Sequence, residues 1–540
     1  MPGTTAAWWP GATLYQVYVR SWQDSNGDGY GDLNGVTERL DHLVWLGVDG
    51  IWLSPTMPSP DDDWGYDVSD YRAVHPDLGT LADLDRLIAE AGQRGLRVLL
   101  DLVPNHTSSA HPWFVEAVSD PASAHREYYV WADPRPDGGP PNNWLAATGA
   151  SAWTLDEASG QYYLHNFLPS QPDLNWWNPA VHEEFQNILR FWFDRGVAGF
   201  RIDVAHGLYK DAELRDDPPA PPGQRVRGRF GLAQTYSANR PESHAVFRDW
   251  RKIADSYPVP RLLLGETWVE VGAMAGFHGQ GDELQLTFNF PFIFTDFTAE
   301  ALAGVVGESL ATLPAGECPV WTSSNHDISR FPTRWCGGDE RKARLALLVL
   351  ATLPGTLVLY YGDEIAMTDV DVPPELRRDP MGPGGRRGDG RDRARTPMLW
   401  DGSPSHGFTA DGVTPWLPFG PGGAPNVAAQ RDDPQSTLHL CRALVRLRRA
   451  ELGGRLARYR ARPAPAGVWL YQVGDLTVAA NFTDQPVTLP QPLGEVLLRS
   501  GRAGPEGTAG PGGAGSERLE PWAGLIARPQ SPHGEDGAAG

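Results

Sequence analysis

Three stretches of the chain repeat one local pattern: an amphipathic helix, a glycine stop, and a short apolar strand. They are 36–55 (VTERLDHLVWLGVDGIWLSP), 80–104 (TLADLDRLIAEAGQRGLRVLLDLVP) and 178–204 (NPAVHEEFQNILRFWFDRGVAGFRIDV). In the second, Thr80 is placed to N-cap the helix with Asp83 as its reciprocal partner. Leu81, Leu84, Leu87, Ile88 and Ala91 form one face, and Gly95 supplies a left-handed stop. In the third, Asn178 caps and Pro179 occupies the first turn. Apolar strands alternating with helices imply βα units around a parallel sheet covered on both faces. Further strand candidates lie at 14–19, 262–268, 285–290, 319–324 and 356–361. With the first three they supply the count of an α/β (β/α)8 TIM barrel. A doubly wound sheet is the alternative, but no Gly-x-Gly-x-x-Gly turn follows an early strand.

Three segments interrupt the pattern, each after an expected strand. Residues 105–177 read as an inserted irregular domain after strand 3, and 207–245 and 365–436 as long loops. This divides the chain into a barrel part at 1–104, the insert at 105–177, a second barrel part at 178–454 and a C-terminal all-β domain at 455–540. Within the last, 501–517 and 529–540 are Gly/Ala/Pro-rich and read as flexible.

Charge and composition narrow the partners. The net charge of −21 over 540 residues opposes phosphate backbones and anionic lipid, so neither nucleic acid nor a membrane is expected. No run of about 18 apolar residues occurs. The start, MPGTTAAWWPGATLYQ, lacks the basic and apolar regions of a secretory signal. The three cysteines, Cys318, Cys336 and Cys441, suggest neither a disulfide framework nor a zinc site. These features together point to the cytoplasm. The 21 Trp and 16 Tyr serve equally as core and as sugar-stacking surfaces.

Polar residues concentrate at the ends of four expected strands: Pro104-Asn105-His106, Arg201 with Asp203, Glu266, and Asn325-His326-Asp327. Each alone is more often a satisfied structural group. Together, carboxylates, histidine and arginine converge on one barrel rim, as acid/base chemistry on a neutral substrate requires.

With those residues in view, the chain resembles the α-amylase family (glycoside hydrolase family 13), and within it the α-glucosidase branch. DLVPNHTS (101–108), GFRIDVAH (199–206), GETW (265–268) and SSNHD (323–327) are similar, in order, to its four signature regions. QPDLNWWNP (171–179) and RTPMLWD (395–401) are similar to two further motifs of the branch; Leu399 stands where relatives often carry Gln. The resemblance implies Asp203 as nucleophile, Glu266 as general acid/base and Asp327 as transition-state stabiliser. Arg201 would keep Asp203 ionised, and Glu266 would need a raised pKa. His106 and His326 would bond hydroxyls of a glucose. Tyr66 would stack on its ring, and Asp67, paired with Arg395, would close the pocket. An apolar Val204 tends in this branch to accompany α-1,4 preference. The implied activity is exo-acting, retaining hydrolysis of short α-glucosides. The alternatives are a family disaccharide isomerase or transglycosylase, and a non-catalytic sugar-binding member.

The segment DSNGDGYGD (24–32) places Asp24, Asn26, Asp28, the Tyr30 carbonyl and Asp32 at alternating positions. Hard oxygens so spaced suit a structural Ca2+, which the resemblance also implies; Mg2+ is the alternative ion, and a metal-free Asx-turn loop the alternative structure.

Overall fold

The computed structural model describes residues 7–221, 228–381, 390–420, 423, 425–502 and 517–529. Eight parallel strands form the central sheet: β1 Thr13–Val17, β2 Gly50–Leu53, β3 Arg97–Leu102, β4 Gly199–Ile202, β5 Leu262–Gly265, β6 Leu286–Thr287, β7 Val320–Trp321 and β8 Thr356–Tyr360. Their order is β6-β5-β4-β3-β2-β1-β8-β7. A parallel bridge from Phe288 to Val320 joins the two ends, so the sheet closes into the expected barrel.

The local punctuation behaves as the residue types dictate. Thr80 and Asp83 form a reciprocal capping box on the helix Leu81–Gln93. Asn178 caps Pro179–Asp194 through Ala180 N–H. Gly47, Gly95 and Gly196 end the three repeated helices at φ 97°, 78° and 97°, a region in which a side chain would be strained. The first repeat differs from the single helix expected over its length. It folds as two short helices, Leu33–Glu38 and Leu40–Leu46, because Arg39 between them leaves helical geometry at ψ 6°.

Between β3 and the helix Pro179–Asp194, the segment expected to be irregular contains a helix, Pro112–Ser119, and an antiparallel three-stranded sheet with strands between Trp131 and Leu164. Trp144, Trp153 and Leu164 give it a small core of its own. A five-stranded antiparallel sheet follows from Tyr459 to Arg528. The two flexible readings, 501–517 and 529–540, lie outside the described residues except at their edges. No helix among the described residues is long and apolar enough to cross a membrane. All three cysteines are free and buried.

Candidate active site

β4 and β5 are fully buried, and they deliver Asp203 and Glu266 just beyond their carboxyl ends. Between these groups lies Arg201, 1% exposed. Its Nη1 meets Asp203 Oδ1 at 2.7 Å and Asp101 Oδ1 at 2.9 Å, and its Nη2 meets Glu266 Oε1 at 2.8 Å. One guanidinium thus serves three carboxylates. Asp101, on β3, also accepts bonds from Tyr66 Oη at 3.0 Å and Trp52 Nε1 at 3.2 Å.

The electrostatics run against the expectation that Arg201 keeps Asp203 ionised. Burial pushes Asp203 well above the usual carboxylate range, with Arg201 pulling the other way and Glu266 and Asp101 adding to the rise. Asp101 is pushed up to about 6 by burial, again against Arg201. The physical reason is the charge count: one cation cannot neutralise three buried anions, so Asp203 and Asp101 hold protons more tightly than isolated carboxylates would. For Asp203 the rise opposes the ionised form that a nucleophile needs, with Arg201 the one group of this cluster that favours it.

Glu266 accepts two further bonds, from Trp268 Nε1 at 2.9 Å to Oε1 and from the Val204 N–H at 3.0 Å to Oε2. Val204 reaches that position in the left-handed region, at φ 45° and ψ 40°. A β-branched residue there is strained by roughly 1–3 kcal/mol. The strained turn carries the chain out of β4 directly beside the second carboxyl group.

Asp327 sits across the rim with its side chain 20% exposed. Its Oδ1 meets Arg395 Nη2 at 3.0 Å and Arg391 Nη1 at 3.1 Å. Gln16 Nε2 donates to His326 Nδ1 at 2.8 Å, which leaves the imidazole proton on Nε2, 3.2 Å from Asp327 Oδ2. Burial holds His326 well below its ordinary value, hence neutral. Burial would raise Asp327, but the surrounding groups, with Arg391 and Arg395 among them, hold it far below the usual range. His106, also lowered by burial, lies 2.9 Å from the Tyr66 carbonyl through Nε2. Tyr66 lies parallel to His326, with centroids 5.2 Å apart at 4°.

Asp67 and Arg395, expected to pair, do not meet. Asp67, fully buried, accepts bonds from Ser59 Oγ at 2.6 Å and from the Asp63 and Asp62 N–H groups at 3.0 and 3.1 Å. It organises the turn that carries Tyr66. Arg395 instead donates to the His326 carbonyl at 2.7 Å and to Asp327. The aspartate–arginine pair that does form between the same two segments is Asp63 with Arg391, at 2.5 Å. Arg391 also binds Asp379 at 2.7 Å, and Gln171 Nε2 donates to Asp63 Oδ2 at 3.2 Å. Asp101, Asp63 and Arg391 therefore join the candidate cluster, and sequence reasoning passed over them. The signal for Asp63 was its place in the acidic run 61–63. Nothing local separates Arg391 from Arg393 and Arg395.

Away from this site, the 24–32 loop forms a chain of Asx turns. Asp24 Oδ1 accepts from Gly27 N–H at 2.7 Å, Asn26 Oδ1 from Asp28 N–H at 2.9 Å, and Asp28 Oδ1 from Tyr30 N–H at 2.8 Å. Asp32 caps the helix Leu33–Glu38 through Gly35 N–H at 2.7 Å. These bonds are what a metal-free turn would make. Asp24 is saturated by them, with Asn26 and Gly27 N–H on Oδ1 and Gly29 N–H and Thr409 Oγ1 on Oδ2, so a metal would have to displace some of these bonds; the donor set itself is wholly hard oxygen, the chemistry that fits Ca2+. Among the described residues, three ligand-type side chains converge instead at Asp61, His75 and Asp77. There Asp61 already pairs with Arg20 at 2.7 Å, and His75 Nδ1 accepts the Asp77 N–H at 3.1 Å, so that cluster is an ion-pair lattice.

A rim of paired carboxylates on a (β/α)8 barrel defines a glycosidase-type centre. The model of the α-amylase catalytic domain matches residues 16–453, and a domain of unknown function matches residues 454–526. The chain belongs to the α-amylase family of glycoside hydrolases, family 13, and is an enzyme of its α-glucosidase group. It is 42% identical over 461 residues to a probable alpha-glucosidase of Rhizobium meliloti, covering 82% of this chain and 83% of that one. It is 36% identical to an oligo-1,6-glucosidase of Heyndrickxia coagulans, covering 90% and 94%. Among solved structures, an alpha-glucosyl transfer enzyme superposes with a TM-score of 0.89 at 38% identity, covering 97% and 100%. A trehalulose synthase superposes at 0.87 and 33%, again covering 97% and 100%.

Proposed function

We propose that the protein is an exo-acting, retaining α-glucosidase that removes terminal α-1,4-linked glucose from maltose and short α-glucosides. The observation that carries this reading is the bridging of Asp203 and Glu266 by the single guanidinium of Arg201. Two carboxyl groups spanned by one guanidinium suit the short separation, about 5–5.5 Å, of double displacement, rather than the roughly 6.5–9.5 Å gap that inversion leaves for water.

In the first step Asp203 attacks the anomeric carbon and the bond to the leaving oxygen breaks as Glu266 gives that oxygen its proton. In the second, Glu266 takes a proton from water, whose oxygen attacks the same carbon and releases Asp203. Neutral His106 and His326 would bond the glucose hydroxyls, with Tyr66 against the ring. Asp327 would draw the hydroxyls closer as positive charge develops. The Asp63–Arg391 pair closes the far end, which supports exo-action. Val204, beside Glu266, supports the α-1,4 preference.

Asp24, Asn26, Asp28, Asp32 and the Tyr30 carbonyl would hold a structural Ca2+, with Mg2+ the alternative. The unpaired, buried cysteines support a reducing, cytoplasmic setting. A second reading, disaccharide isomerisation or glucosyl transfer, is favoured by the names of the solved neighbours. Timed product analysis separates the two. The proposed hydrolase releases α-glucose from maltose and maltotriose and leaves starch nearly untouched. Isomeric disaccharides from sucrose as the main product would overturn hydrolysis, and early long oligosaccharides from starch would overturn exo-action.

A further inference from the structure

A second cavity of about 400 Å³ lies behind the catalytic wall, between the inserted domain and the loop after β4. Its size falls in the range that small-molecule sites occupy. Its walls include Trp131, Trp177, Arg126, Glu127, Asn175 and Lys210.

Trp177 sets it apart. At 47% exposure it is the one strongly exposed tryptophan among the described residues. The ring is not loose: its Nε1 donates to the Lys210 carbonyl at 3.0 Å, and Tyr209 packs edge-on at 4.9 Å. A fixed indole with an uncovered face leaves a large apolar area in water, which is costly unless something covers it. Most of the charges around it are already matched. Lys210 Nζ pairs with Asp173 at 2.7 Å, Asp211 with Arg215 at 2.5 Å, and Arg126 lies over Trp131 while bonding Gln161 and Ser159. Of the charged wall residues only the exposed Glu127 lacks an ion pair among the described residues, so the lining offers a charged ligand a single solvated carboxylate. An apolar platform beside amide groups and one exposed carboxylate suits a neutral saccharide: its C–H face covers the indole and its hydroxyls meet Asn175 and the exposed Glu127.

We infer that this cavity is a second, non-catalytic saccharide site, with Trp177 as its stacking platform. The floor joins it to the catalytic wall. Lys210 Nζ donates to Asn105 Oδ1 at 2.8 Å, and Asn105 Nδ2 meets His106 Nδ1 at 3.1 Å. A sugar bound there presses on the residues that hold His106.

The test is equilibrium dialysis of labelled maltose against the full chain carrying Asp203→Ala, which suppresses turnover. Two bound maltose molecules per chain are expected. Adding Trp177→Ala weakens one class about tenfold and leaves the other unchanged. Ala212→Trp, a substitution at an exposed position of the cavity lining, removes the same class by filling the space, and serves should Trp177→Ala unfold. A single binding class in all variants, or two classes untouched by both substitutions, overturns the inference. Loss of turnover in Asp203→Ala is read separately, so failure of the hydrolase reading and failure of the second site are distinct results.

Discussion

Replacing Arg391 by Ala tests the reading that the Asp63–Arg391 pair closes the pocket. Arg391 lies within 3.1 Å of three carboxylates: Asp63, Asp327 and Asp379, whose side chains are 5%, 20% and 2% exposed. Removing one partner of a buried pair costs about 3–5 kcal/mol, because the remaining charge is stranded. Asp327 keeps Arg395 and Asp63 keeps its bond from Gln171, so the lower half of that range is expected for stability. The same groups would face the glucose. A loss of about 3–4 kcal/mol in transition-state binding lowers kcat/KM by about 10²–10³. The pH dependence carries a sign. Burial raises Asp379, but Arg391 outweighs it and holds the group at about 2. A depressed carboxylate contributes stability above its unfolded value, about 4, and loses it as pH falls toward 2. In the variant the stranded carboxylates take up protons more readily, so its deficit in Tm is largest at neutral pH and narrows below about pH 4. The assays are kcat/KM on maltose and on a chromogenic α-glucoside, with Tm followed across pH. A kcat/KM within about threefold of wild type, or a Tm deficit independent of pH, would refute the argument. Asp67→Asn is the control: it should lower kcat/KM by less than tenfold, since Asp67 bonds only its own turn. A loss equal to that of Asp63→Asn would return Asp67 to the pocket.

Other expectations follow from the same geometry. Asp203→Ala should abolish nearly all turnover, while Glu266→Gln should retain more on aryl glucosides, whose leaving group needs no proton; near wild-type rates for folded Asp203→Ala would reject the nucleophile. Val204→Thr should narrow the maltose-to-isomaltose ratio of kcat/KM by about tenfold, the scale of one hydroxyl at an accommodating site, and an unmoved ratio would remove Val204 from specificity. Thorough chelation should lower Tm with little change in activity at low temperature, because the 24–32 loop lies apart from the carboxylate cluster; an unchanged Tm with no metal by elemental analysis would favour the metal-free turn.

What the chain declares locally is what its neighbours in sequence can decide. Helix periodicity, the Thr80–Asp83 box, the Asn178 cap and the left-handed glycines act within a few residues, so the βα units and the barrel could be read from residue types. So could the polar strand ends, since β4 and β5 each run from an apolar stretch straight into Asp203 and Glu266. Partners are a different matter. Within 61–67 there are four aspartates, and within 391–395 three arginines at alternate positions. Residue type does not say which of them meet. Barrel closure brings Arg391 onto Asp63 across 328 positions. It turns Arg393 toward Asp369 at 3.1 Å and gives Arg395 to Asp327. It also buries three carboxylates around one guanidinium, and so sets their protonation, because desolvation and Coulomb energy depend on distances through space that no local pattern encodes.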